Sequence, residues 1–131
     1  MPITVTWYIP KRVISIQLDG DIRDDELHGL NQQLHHMLNV SEPLVHVLVD
    51  QTHIGKFPIN LKEIRETLTV MQYEGFGNII MYGKVNPLGE FVSGMLARMA
   101  GLKLRTFLSA QGAQEFLLSQ DVSLESHFSD V

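Results

Sequence analysis

The chain carries six histidines and no cysteine, which raises two chemistries: metal ligation and general base catalysis. A helical two-ligand metal site needs imidazoles four residues apart. His28, His35 and His36 do not offer that spacing, so no metal is expected. His46 falls inside the apolar run Leu44 to Val49 and reads as a hydrogen-bonded core residue. His53 lies three residues after Asp50, and these two would be the acid–base pair of a small hydrolase.

Other chemical patterns fail on spacing. The acidic group Asp19, Asp21, Asp24, Asp25 and Glu26 would need a bidentate Glu where Leu30 stands to make a calcium loop. It reads instead as a turn followed by a helix start. Gly75-Phe76-Gly77 precedes a strand rather than opening a helix, and Gly83-Lys84 lacks the earlier glycine and the following Ser or Thr of a phosphate loop. No Gly-x-Ser-x-Gly elbow exists, Ser93-Gly94 being the nearest fragment. No catalytic residue is assigned and no cofactor is expected.

The elements that must position these residues follow from hydrophobic periodicity. Ile3 to Ile9 and Val13 to Leu18 alternate around Pro10-Lys11-Arg12 and predict a β-hairpin closed by Asp19-Gly20. Leu27, Leu30, Leu34, Met37 and Leu38 draw one apolar stripe over a helix from about Asp25 to Asn39. Leu44 to Val49 predicts a strand buried on both faces and ended by Asp50. Asn60 with Glu63 has capping-box spacing for a second helix carrying Leu61, Ile64, Leu68 and Met71, stopped by Gly75 and Gly77. Asn78 to Tyr82 is a short strand. Pro87 opens a third helix, Leu104 to Leu108 is the last strand, and Ser109 caps a final helix with Ala113, Phe116 and Leu117.

The order β-β-α-β-α-β-α-β-α predicts an α/β fold of one mixed sheet, an antiparallel hairpin followed by parallel strands with helical crossovers. Residues 1–119 form the domain, and residues 120–131 form a tail that is docked or disordered. In open α/β sheets, ligands gather at the carboxyl ends of the strands. That rule selects Asp50, Thr52, His53 and Phe57 in one loop and Gly83 and Asn86 in another as the residues contacting a ligand or partner. The third helix has a broad apolar face, and Phe91, Val92, Met95 and Met99 on it are the expected contacts of a homodimer.

A 131-residue chain buries a core without staples; 44% hydrophobic and 19% charged residues suit a globular domain. The formal charge of −5 argues against a nucleic-acid-binding surface. No apolar run spans a bilayer, and Met1 to Trp7 lacks the signature of a signal peptide. A cytoplasmic location is the expectation.

Three segments carry a resemblance. Leu18-Asp19-Gly20-Asp21-Ile22 before the first helix, Val47-Leu48-Val49-Asp50 closing a buried strand, and Ala113 with Phe116-Leu117 in the last helix resemble STAS-type (SpoIIAA-like) domains. Anti-sigma-factor antagonists of that family carry Asp-Ser-Ser-Gly at the start of the second helix, with a phosphorylated serine as a switch. Here the stretch reads Phe57-Pro58-Ile59-Asn60-Leu61, without that serine. The resemblance implies a divergent relative, similar to members that are in turn like small lipid-binding domains. The leading expectation is a non-enzymatic regulatory or binding module for a protein partner or small apolar ligand. A hydrolase using Asp50 and His53, or a purely structural homodimer, are the alternatives.

Overall fold

The computed structural model describes residues 3–41, 44–56, 61–83, 94–95, 97–98 and 101–121. Strands β1 (Ile3–Ile9), β2 (Val13–Gly20), β3 (Val45–Ile54), β4 (Phe76–Tyr82) and β5 (Lys103–Phe107) form one sheet in the order β1-β2-β3-β4-β5. Only β1 and β2 pair antiparallel; the other three pairings are parallel. The mixed sheet follows the predicted order. It arises because only the first connection, turning through Lys11 at φ 67, is short enough for a hairpin.

The two faces of the sheet carry separate cores. One packs Ile14, Ile16, Leu18, Val47 and Val49 against α1 (Asp24–Leu38), through Leu27, Leu30, Leu34 and Leu38, and against α2 (Leu61–Thr67), through Ile64. The other packs Val13, Leu48 and Ile80 against the C-terminal helix (Ala110–Gln120), through Ala113 and Leu117. Ser109 caps that helix, its Oγ accepting the Gly112 N–H at 3.2 Å. Helix α1 opens with Asp24, Asp25 and Glu26 in its first turn, where carboxylates favour the positive end of the dipole, and has no side-chain cap.

Two expectations about element boundaries need correction. Asp19-Gly20 closes β2 as expected, but Asp50 does not end its strand: β3 runs on to Ile54, still paired with β2 at Asp19↔His53 and Gly20↔Ile54. A bulge between Gln17 and Asp19 takes up one extra residue of β3 and returns Ile54 to the α1 side of the core. The joint ends of β2 and β3 are tied by Gly55 N–H to Gly20 O at 2.7 Å and by Lys56 N–H to the Asp21 carboxylate at 2.7 Å. These contacts give the Leu18–Ile22 stretch its physical meaning.

The second helix is also not continuous to Gly75. It ends at Thr67, Leu68 leaves helical backbone, and Thr69–Gln72 forms a separate 3-10 turn. Helix α1 causes the break: Asn31 Oδ1 accepts the Val70 N–H at 2.9 Å, while Asn31 Nδ2 and His35 Nε2 meet the Thr69 hydroxyl at 3.1 and 3.0 Å. Capturing that N–H from outside removes it from the helical ladder. Val70 turns into the core as a result.

Candidate functional site

At the carboxyl ends of the strands, the structure joins three of the predicted site residues. Asp50 Oδ1 accepts both the backbone N–H of Thr52, at 2.9 Å, and its hydroxyl, at 2.6 Å. Gly83 lies against the same residue. It has φ +108, and a Cβ there would overlap Thr52 Oγ1 and lie 2.7 Å from the Thr52 nitrogen. A glycine is required at this point because the backbones approach so closely and the conformation is left-handed. The Gly83 N–H donates to Phe107 O at 3.1 Å, tying this rim to β5.

His53 is exposed on the last part of β3, and no hydrogen bond joins it to Asp50 among the described residues. Phe57 and Asn86 lie outside the described residues, as do Phe91, Val92 and Met99 of the expected dimer face. Met95 is helical and half-buried, its sulfur meeting Arg98 at 3.2 Å. The candidate switch segment at residues 57–60 is likewise outside the described residues.

Two tyrosine phenols are perturbed. Tyr82 pairs with Asp50 across the sheet, and Tyr8 accepts a hydrogen bond from Gln114 at 2.8 Å. Burial raises the Tyr82 phenol above its ordinary 10.0, with smaller upward contributions from the Asp50 carboxylate and from Tyr8. Burial alone raises Tyr8. The folded state therefore holds these protons to higher pH than the unfolded chain does. Their stabilisation is complete below about pH 10 and is lost as pH rises through the raised values. Denaturant titrations at about pH 8 and about pH 11 are expected to show this alkaline loss, and Tyr82→Phe should reduce it. An alkaline loss as large in Tyr82→Phe as in the wild type would remove Tyr82 as its source.

A second site, outside the residues expected from sequence, lies at the amino ends of the strands. His46 is 2% exposed. Its Nδ1 accepts the backbone N–H of Asn78 at 3.0 Å, so the ring proton sits on Nε2 and is donated to Asp121 Oδ2, 3.0 Å away. Arg12 pairs with the same carboxylate oxygen at 3.0 Å. A carboxylate–histidine pair suggests a general base, but a base needs one free ring nitrogen to receive a proton. Both nitrogens of His46 are engaged inside the protein, so the pair is structural. It anchors the end of the C-terminal helix to β3 and β4.

Beside this network opens a groove of about 620 Å³, bordered by Leu44, Tyr73, Phe76, Asn78, Leu102 and Lys103 among others. Among the described residues, no three His, Asp or Glu side chains gather as a metal site would require, and no helix is long and apolar enough to cross a membrane.

No protein-family model matches the chain, and no curated protein does. Among solved structures, the chain is similar to an uncharacterized protein of the DUF3478 family with a SpoIIAA-like fold from Shewanella loihica PV-4. The TM-score is 0.63 at 13% identity, over 88% of this chain and 91% of that one. The antiparallel pair, the parallel strands beside it and the helices of this chain thus form a SpoIIAA-like, STAS-type fold.

Proposed function

We propose that the chain is a non-enzymatic regulatory module that binds a protein partner at the carboxyl-end rim of its sheet. The supporting observation is the state of the groups that would do chemistry. Asp50 directs one oxygen into two hydrogen bonds with Thr52, and His46 offers no free nitrogen. What the rim presents is shape and polarity: exposed Thr52 and His53 on a strand end that Gly83 approaches closely. A fixed polar surface suits recognition, because little ordering entropy is lost on contact. Phe57 and Asn86 flank this rim in sequence and extend the proposed surface.

The test is affinity purification from the source cells with the wild type, the double variant Asp50→Ala/His53→Ala, and a control altered at exposed Arg23. A partner held by the wild type and the control but lost from the double variant is the expected result. Identical partner sets in all three would remove the rim as the contact surface. The same proteins address the hydrolase alternative. Hydrolysis of simple ester or phosphate substrates by the wild type, abolished by Asp50→Ala, would overturn the non-enzymatic reading.

A further inference from the structure

From a different site we infer that the groove at the amino ends of β3, β4 and β5 binds a small, neutral, planar ligand bearing an amide-like edge, a hydrogen-bond acceptor and donor side by side. The residue that reads this edge is Asn78.

Asn78 is anomalous where it stands. Asparagine is disfavoured in strands, yet this one lies within β4, on the face that carries Ile80 two residues on. It is only 9% exposed. Its backbone is fixed by the N–H donated to His46 Nδ1. No described residue makes a hydrogen bond to its carboxamide, whose atoms are not sealed in the core but reached by solvent. Asn78 borders the groove, so the unmatched amide is available to an occupant. One carbonyl acceptor and an adjacent N–H donor in a plane match a complementary planar edge, as in asparagine contacts to adenine.

The remaining walls define the rest of the ligand. Tyr73 and Phe76 meet edge to face at 5.3 Å between centroids and give the groove an aromatic side. Charges around it are balanced: Asp121 is paired with Arg12, and Glu74 and Lys103 are the other two charged side chains on the lining. No net field selects an anion or a cation, which favours a neutral ligand. The volume of about 620 Å³ lies within the range of small-molecule sites and accommodates a one- or two-ring molecule.

Benzamide and adenine are the probes, the first a simple carboxamide and the second a nucleobase edge; acetophenone is the control, of similar shape but lacking the amide donor. Backbone amide shifts of the full chain are followed by NMR during titration to about 10 mM, since ligands this small bind at roughly millimolar affinity. The expected result is saturable shifts centred on Gly77, Asn78 and Leu102 with one or both amide-edged probes, at least about tenfold weaker with acetophenone and in Asn78→Leu. Should Asn78→Leu not fold, Asn78→Ser keeps a polar group too short to reach and is expected to show the same loss. Absence of saturable shifts with both probes, shifts centred elsewhere, or undiminished binding in these variants would overturn the assignment. These outcomes are separate from the rim test, which reads partner capture at the opposite end of the sheet.

Discussion

Gly77→Ala is expected to destabilise the protein by about 3 kcal/mol, an unusually large effect for the addition of one methyl group. Gly77 lies in β4 beside His46. A Cβ at this position would overlap the ring at Cε1 and Nδ1 and lie 3.2 Å from Nε2. A flexible surface side chain would turn aside. This ring is 2% exposed and held at both nitrogens, by the Asn78 N–H and the Asp121 carboxylate. Moving it sacrifices buried hydrogen bonds, each worth about 1 kcal/mol or more; leaving it in place overpacks the core. Gly29→Ala is the matched control: its Cβ would meet nothing within 4 Å and it lies in α1, so alanine there is expected to stabilise by about 0.5–1 kcal/mol. Equilibrium denaturation of both variants decides the matter. A Gly77→Ala protein within about 0.5 kcal/mol of wild type would show that the ring is not held as described.

The elements were legible in the sequence because each has a local cause. Alternation in Ile3–Ile9, the leucine stripe of α1 and the Ser109 cap depend on residues a few positions apart. The places where the pattern misleads have distant causes. Asp50 reads as a strand end, yet β3 continues because a bulge against β2 keeps the ladder paired to Ile54. The apolar stripe of the second helix runs on to Met71, but Asn31, about 40 residues earlier, takes the Val70 N–H and breaks it.

The site divides in the same way. The rim at Asp50, Thr52 and Gly83 follows from the strand-end rule, and Asp50 binding Thr52 two residues away is a local turn contact. The groove at the other end was invisible because its network joins Arg12 and His46 to Asp121 across 109 and 75 residues. One signal was available: an asparagine opening the apolar run Asn78 to Tyr82, which local propensity does not explain.

That long-range network carries the second large prediction. Asp121→Ala is expected to cost about 2–3 kcal/mol, because it leaves the buried Nε2–H of His46 without its acceptor and takes a carboxylate away from Arg12. The lower part of the buried-pair range applies because the carboxylate is 20% exposed and water partly replaces it. The Arg23–Glu26 pair makes the comparison: Arg23 is 78% exposed, and Arg23→Ala should change stability by no more than about 0.5 kcal/mol. In a double-mutant cycle, His46→Ala and Asp121→Ala are expected to couple by more than about 1 kcal/mol, since either change alone breaks the same bond. Additivity within about 0.3 kcal/mol would mean that Asp121 acts on the helix end alone, and the anchoring role given to His46 would fail. If the coupling holds, the hydrogen bond to His46 is part of what fastens the far end of the C-terminal helix to the sheet, beside the Arg12 pair, and loosening that bond should also disturb the groove beside it.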